Sequence, residues 1–160
     1  DVLDIASGDG VLAELLAPHA HRYVCVDSSK RVVAAAAERL RKFRNVEVRE
    51  GDMHALPFAD GEFDLVVLMH ALTYAEKPAQ AVAEAARVLR PGGRLLLSSL
   101  ARHEHQNVVQ AYGHANLGFA DKDLRRFVSR AGLELVNAET VTREKRPPHF
   151  EVISMIARKP

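Results

Sequence analysis

Short apolar runs alternate along the chain with stretches whose apolar residues recur at helical spacing. Helices are predicted after the first glycine loop, over 30–43, and from Pro78 to Leu89. Five runs rich in valine, isoleucine and leucine predict buried strands at 1–5, 22–27, 45–50, 63–72 and 94–100. Strands separated by helices in this way form a parallel sheet with helices on both faces.

The last third of the chain has a weaker pattern. A short helix is predicted over 103–113, and a longer one follows Asp121, which we expect to cap it, and ends at Gly132. Two alternating runs predict a final strand pair at 133–143 and 149–159. We therefore predict an α/β fold: a doubly wound, Rossmann-like, seven-stranded and mostly parallel sheet whose last strand is antiparallel, with helices on both faces.

Composition and charge indicate the number of domains and the kinds of partner to expect. The 160 residues, 48% hydrophobic and 27% charged, suit one globular domain over 1–160. With 22 basic and 21 acidic residues, the net charge of +1 gives no electrostatic case for nucleic acid or an anionic membrane. The single cysteine, Cys25, is expected to fill the core, and a cytoplasmic location is expected. Because the chain enters a strand at Asp1 without a methionine, we expect N-terminal helices or an upstream domain to be missing.

The segment "VLDIASGDGVLAELL" predicts a strand, a tight loop and a helix, the arrangement that holds cofactors in such sheets. From Gly8 to Ala13 it fits the dinucleotide pattern G-x-G-x-x-[GA], and Asp27 ends the second strand, where a ribose would lie. A nicotinamide- or flavin-dependent oxidoreductase is therefore one interpretation. However, none of the three tyrosines has a lysine four residues later.

Three carboxylates favour a different cofactor. Asp9 lies between the glycines, where it would face a pyrophosphate unfavourably and a cation favourably. Asp4, inside the first strand, needs a partner such as an ammonium group. Asp52 closes the third strand and suits the exocyclic amine of a base. S-adenosylmethionine (SAM) carries an ammonium, a sulfonium, a ribose diol and an adenine amine, and no phosphate.

An ordered set of motifs resembles class I SAM-dependent methyltransferases: "VLDIASGDG", "VCVDSS", "VREGDMHALPFADGEFDLVVLMHAL" and "RVLRPGGRLLLSSL". The chain is most similar to the type 11 group, which includes ubiquinone-biosynthesis enzymes. The resemblance implies that Asp4, Gly8 and Gly10 shape the methionine pocket and that Asp27 holds the ribose. The family usually has glycine where this chain has Ala6, and we expect alanine to be tolerated there if its φ is negative.

The resemblance also implies that Asp52 and Met53 contact adenine and that His70 and Ala71 border the sulfonium. The predicted cofactor site comprises Asp4, Ala6, Ser7, Gly8, Gly10, Asp27, Ser28, Asp52, Met53 and His70. The segments "HALTYAEKP", "RHEH" and "RPPHFEVI" resemble a bacterial subgroup in which this domain follows a winged-helix regulator of the arsenic-repressor type. A SAM-sensing module of such a regulator, with little turnover, is therefore a second alternative.

Candidate catalytic residues are His70, as a general base or a positioning residue, and Tyr74. His103, Tyr112 and His114 could line the acceptor pocket. No metal site is predicted, since the H-x-H pair lacks the remaining ligands and would not share one face of a helix. The fourth strand is followed by "HALT" and not by the [DNS]-P-P-[YF] loop of DNA-adenine and glutamine-amide methyltransferases, which disfavours those acceptors. Because the balanced charge also disfavours nucleic acid, a small molecule remains as the expected methyl acceptor. The chain is also compatible with a homodimer.

Overall fold

The computed structural model describes residues 1–160, except for the side chain of Thr142. One seven-stranded sheet forms its centre. The strands are β1 (Val2–Ile5), β2 (Tyr23–Asp27), β3 (Val46–Glu50), β4 (Phe63–Met69), β5 (Leu89–Leu100), β6 (Glu134–Arg143) and β7 (Glu151–Arg158). Their order in space is β3-β2-β1-β4-β5-β7-β6, with parallel pairing from β3 to β5 and β7 antiparallel to both of its neighbours. The predicted fold class is confirmed.

Five helices flank this sheet: α1 (Val11–Leu16), α2 (Lys30–Leu40), α3 (Pro78–Val88), α4 (Gln106–Gln110) and α5 (Asp121–Arg130). Single 3₁₀ turns cover Ala17–His19 and Leu72–Tyr74. None of the described helices has the length and apolar character needed to cross a membrane.

Apolar side chains are buried on both faces of the sheet because alternate strand residues point to opposite faces. Leu3 and Ile5 of β1 pack into the larger core together with α3 and α5. Tyr23 and Cys25 of β2 pack into a second core with α1 and α2. Cys25 is a fully buried free thiol, as expected from its apolar neighbours.

Several helix boundaries differ from the predictions, and α3, for instance, ends at Val88 instead of Leu89. Helix α2 ends at Leu40 instead of residue 43, and α4 covers only Gln106–Gln110 of the predicted 103–113. Asp121 is the first residue of α5 and does not cap it, because the N-cap position belongs to Ala120, which has no side-chain acceptor. Gly132 does follow the end of that helix with a φ of +76°.

The "RPGG" segment belongs to a strand. Strand β5 begins at Leu89, five residues before the predicted start at 94. The amide of Gly92 donates to the carbonyl of Lys159 at 2.8 Å, and the amide of Lys159 donates to the carbonyl of Gly93 at 2.9 Å. This pairing with the last residues of the chain extends the strand, and the local sequence does not reveal it.

Candidate cofactor site

A cavity of about 310 Å³ opens at the carboxyl ends of the parallel strands. In a doubly wound sheet, ligands bind at this edge, where the strand order reverses between β1 and β4. Six predicted site residues line the cavity: Ala6, Asp27, Ser28, Asp52, Met53 and Tyr74. The other lining residues, which were not predicted, are Val26, Gly51, His54 and Glu76.

The loop after β1 turns through three residues in the left-handed region. Ala6 has a φ of +54°, Gly8 of +59° and Gly10 of +84°. A Cβ on Gly10 would lie 2.7 Å from Cδ1 of Leu40, so glycine lets the start of α1 pack directly against α2. A Cβ on Gly8 would meet no atom within 4 Å, so the loop backbone is open to a ligand at that point.

Because the φ of Ala6 is positive, the condition under which alanine was expected to be tolerated at this position is not met. The left-handed conformation costs an L-residue roughly 1–2 kcal/mol relative to glycine. The next residue holds the chain in place, since the amide of Ser7 donates to the carbonyl of Val26 at 3.1 Å. Strain of this kind persists where surrounding contacts determine the backbone, and it is frequent at functional sites.

Asp27 ties the glycine loop to the end of β2. Its Oδ2 accepts from the amide of Gly8 at 3.1 Å, and its Oδ1 accepts from the amide of Ser29 at 3.0 Å. Ser29 in turn caps α2, because its hydroxyl accepts from the amide of Val32 at 3.4 Å. Each carboxylate oxygen therefore keeps one lone pair for a ligand in the cavity.

Asp52 is oriented by the residue two positions later. Its Oδ1 accepts from the amide of His54 at 2.8 Å and lies 2.7 Å from Nδ1 of the same residue. These hydrogen bonds, the backbone one above all, lower the pKa of Asp52. Because Nε2 of His54 accepts from the amide of Lys77 at 3.3 Å, Nδ1 carries the proton and donates to Asp52. His54 is thus a positioning residue that sequence analysis missed, although its place two residues after Asp52 is a recognisable turn signal.

Asp4 lies below the loop and does not line the cavity. Its side chain is 2% exposed and accepts a hydrogen bond from the hydroxyl of Tyr23 at 2.9 Å. Burial raises its pKa to about 7, more than the hydrogen bond from Tyr23 lowers it, and the nearby carboxylate of Asp27 adds to the rise. The partner that the sequence argument demanded is therefore a neutral phenol within the fold, and a role toward an ammonium group stays a prediction.

Asp9 was expected to face a cationic ligand, but the cation beside it in the structure is the guanidinium of Arg39. Its Oδ2 pairs with Nη2 of Arg39 at 2.8 Å, and Nε of Arg39 donates to the carbonyl of Asp9 at 3.0 Å. The carboxylate of Asp9 thus attaches the loop to α2, and it does not indicate which cofactor binds.

His70 directly follows β4, and Tyr74 is the last residue of the 3₁₀ turn after it. His70 has a φ of +55°, and its amide donates to the carbonyl of Ser98 at 2.9 Å. The residue is exposed, yet enough protein surrounds its ring to lower its pKa by desolvation. Tyr74 lines the cavity, and its ring contacts that of His114 at 4.9 Å between centroids. His70 is not among the lining residues, so its catalytic role stays a prediction.

The remaining histidines do not form a metal site. His103 and His105 precede α4, so the argument about a shared helix face does not apply to them, and their rings stack at 5.8 Å between centroids with an interplanar angle of 22°. Both rings contact Phe150. Among the described residues, no group of three or more His, Cys, Asp or Glu side chains is arranged to hold a metal ion.

Comparison with known proteins identifies the family. The model of the family described as "Methyltransferase domain" matches residues 3–97. Over 99 residues the chain is 36% identical to a protein of Mycolicibacterium smegmatis described as "Probable S-adenosylmethionine-dependent methyltransferase", covering 62% of this chain and 37% of that protein. It is 42% identical over 99 residues to an uncharacterised 37.1 kDa protein of transposon TN4556 in Streptomyces fradiae, covering 59% of this chain and 28% of that protein.

The methyltransferase YcgJ of Bacillus subtilis, described as uncharacterised, matches in both sequence and structure. The chain is 35% identical to it over 117 residues, which cover 72% of this chain and 46% of that protein. The crystal structure of YcgJ superimposes with a TM-score of 0.85 at 20% identity, covering 99% of this chain and 91% of the other, and it supports the fold. The matched segment is less than half as long as each of these three relatives. Since the family model matches more than half of the chain, the chain belongs to the methyltransferase domain family.

Proposed function

We propose that this domain transfers the methyl group of SAM to a nucleophilic atom of a small molecule, with the cofactor in the cavity beside Asp27 and Asp52. The observation that carries the proposal is the pair of carboxylates at the ends of adjacent strands, β2 and β3, in one cavity of about 310 Å³. The family match favours this activity over a nicotinamide-dependent oxidoreductase or a sensor without turnover.

The residues of the cavity fit the cofactor. Asp27 has one lone pair free on each oxygen, which matches two hydroxyls of a ribose diol. On Asp52, Oδ2 makes no hydrogen bond to a described residue, so it can accept from the amine of adenine. Met53 and Val26 supply apolar walls for a base. The open backbone at Gly8 allows close approach of the methionine part.

When bound, SAM supplies a methyl group that its sulfonium already activates. The chain then has to bind the cofactor, align the acceptor with the methyl group and accept the proton that the acceptor loses. Alignment alone can supply much of the rate acceleration of such a displacement. The lowered pKa of His70 leaves its imidazole neutral near pH 7, the form that can accept a proton from an oxygen, nitrogen or sulfur nucleophile. Tyr74 lines the cavity and contacts His114 of the segment that follows β5.

The remaining proposals concern the acceptor, the location and the assembly of the whole protein. A small-molecule acceptor is supported by the balanced charge of the chain. A bacterial source agrees with the bacterial relatives, and a cytoplasmic location stays a prediction. An upstream winged-helix domain stays a prediction that the sequence of the complete gene tests. A homodimer stays a prediction that sedimentation of the full-length protein tests.

Release of S-adenosylhomocysteine from SAM tests the proposed activity. The wild-type domain and the full-length protein are incubated with panels of phenols, amines and thiols, and with tRNA and a protein extract. We expect release that depends on a small molecule and falls at least tenfold in Asp27→Ala. Asp121→Ala, which removes a carboxylate that pairs with Arg125 on α5 and does not line the cavity, should retain the rate. Release that depends only on the macromolecules would contradict the proposal.

A further inference from the structure

One face of α3 binds the backbone of the segment that follows β3. Gln80, Glu84 and Arg87 lie on this face at spacings of about one helical turn. Nε2 of Gln80 donates to the carbonyl of His54 at 2.8 Å. Oε2 of Glu84 accepts from the amide of Leu56 at 2.7 Å, and Nη2 of Arg87 donates to the carbonyl of Leu56 at 3.0 Å. The helix therefore holds this segment in place.

His54 connects the same segment with the start of α3. The amide of Lys77, the N-cap residue of α3, donates to Nε2 of His54 at 3.3 Å. Nδ1 therefore carries the proton and donates to Oδ1 of Asp52 at 2.7 Å. The side chain of His54 is 19% exposed, so water competes weakly for both hydrogen bonds. Asp52 and Glu76, the neighbour of Lys77, both line the cofactor cavity, so His54 links two segments of its wall.

The two oxygens of Asp52 differ in the hydrogen bonds that they can still accept. Oδ1 accepts from the amide of His54 at 2.8 Å and from its ring, whereas Oδ2 makes no hydrogen bond to a described residue. The side chain of Asp52 is 63% exposed, so these hydrogen bonds, and not packing, hold its orientation. A carboxylate held in this way favours a base that presents an N–H group to Oδ2 and repels a base that presents a carbonyl oxygen. A carboxylate that is free to turn away avoids this repulsion and discriminates less.

We propose that His54, held by Gln80 and the start of α3, makes the cavity specific for a purine with a 6-amino group, because it fixes the Asp52 carboxylate in the orientation that accepts from that group. His54 and Gln80 are thus positioning residues that determine specificity for the base through Asp52. The inference rests on the proposed function, since it takes Asp52 as the acceptor for the adenine amine.

S-inosylhomocysteine, in which a carbonyl oxygen replaces the amino group of adenine, is the probe for this specificity. Calorimetry measures its dissociation constant and that of S-adenosylhomocysteine for the wild type and each variant. The wild type should bind S-adenosylhomocysteine more tightly by about tenfold or more, the range for a hydrogen bond to a charged group. The ratio of the two constants is the readout, because partial unfolding of a variant weakens both ligands alike and leaves the ratio unchanged.

Asparagine and glutamine divide the two hydrogen bonds of the His54 ring between them. In His54→Asn, Nδ2 can replace Nδ1 as the donor to Asp52, so the ratio should stay near that of the wild type. In His54→Gln, Oε1 can replace Nε2 as the acceptor from Lys77 but no donor takes the place of Nδ1, so the ratio should fall to about threefold or less.

Two substitutions on α3 complete the test. Gln80→Ala removes the hydrogen bond to the carbonyl of His54, and we expect the ratio to fall by about twofold to threefold. Glu84→Gln is the matched control on the same face of α3, since Glu84 contacts Leu56 and not His54. It should change the stability of the protein and leave the ratio as in the wild type.

The affinity of the wild type for S-adenosylhomocysteine separates this inference from the proposed function. If the wild type does not bind it, the proposed function fails. If the wild type binds both ligands equally, or if His54→Gln keeps the wild-type ratio, the specificity inference is overturned while the proposed function stands. A ratio that falls in Glu84→Gln as far as in Gln80→Ala also overturns it, because general loosening of the segment then explains the effect.

Discussion

Replacing Asp4 by asparagine should change how the stability of the domain depends on pH. The pKa of Asp4 rises from its ordinary value of 3.8 to about 7, mainly because the side chain is buried at 2% exposure. The folded protein therefore keeps this proton up to about pH 7, while the unfolded chain releases it near pH 4. Between these values the free energy of unfolding of the wild type falls as pH rises, by ~4 kcal/mol at 1.36 kcal/mol per pKa unit.

The asparagine variant loses this dependence. Its amide oxygen still accepts the hydrogen bond from Tyr23, while its amide group adds a cost that does not change with pH. The difference in unfolding free energy, variant minus wild type, should therefore increase by ~4 kcal/mol from pH 4 to pH 7 and stay level above that. Urea unfolding followed by circular dichroism at pH 4, 5.5, 7 and 8 measures it.

Glu84→Gln is a control with the opposite sign. The hydrogen bond from Arg87 lowers the pKa of Glu84, so the wild type gains stability from this carboxylate above the unfolded pKa and loses it as pH falls. The loss of unfolding free energy in the Gln variant, relative to wild type, should thus become smaller as the pH falls. A constant difference between Asp4→Asn and wild type at all four pH values would refute the reasoning about Asp4.

Three further substitutions test the loop and the turn after β4. Ala6→Gly should stabilise the protein by about 1–2 kcal/mol relative to the control Ala111→Gly, because Ala6 has a positive φ and Ala111 has a φ of −63°. Thermal unfolding of both variants measures this difference. Gly10→Ala should lower the melting temperature by several degrees, since the new Cβ would meet Leu40 at 2.7 Å. His70→Asn, which tolerates a positive φ, should reduce turnover at least tenfold while the dissociation constant of SAM stays within twofold; unchanged turnover would remove His70 from catalysis.

Much of the fold could be predicted because parallel strands buried on both faces are encoded as local apolar runs. The runs ending at Ile5 and Asp27 are such strands, and the carboxyl ends of parallel strands meet at one edge. Asp27 and Asp52 could therefore be assigned to one cavity from their positions at the strand ends, whereas Met53 was assigned from the family resemblance. The early start of β5 could not, because it depends on hydrogen bonds with Lys159, far along the chain.

The details of the site depend on contacts that leave no local pattern. The positive φ of Ala6 follows from the path between β1 and α1, and alanine gives no signal of it. Asp9 is neutralised by Arg39 from another helix. Likewise, the orientation of the His54 ring is set by the amide of Lys77, 23 residues later. Distant partners thus decided the last two of these points.

Calorimetric titration of the wild-type domain and Asp27→Ala with S-adenosylhomocysteine and NADH tests the central claim, that the cavity beside Asp27 holds the adenosyl cofactor. We predict micromolar binding of S-adenosylhomocysteine to the wild type at one site, no binding of NADH, and at least tenfold weaker binding in Asp27→Ala, because the ribose diol loses its charged acceptor. Equal affinity of the two proteins for S-adenosylhomocysteine, or binding of NADH in its place, would contradict the claim.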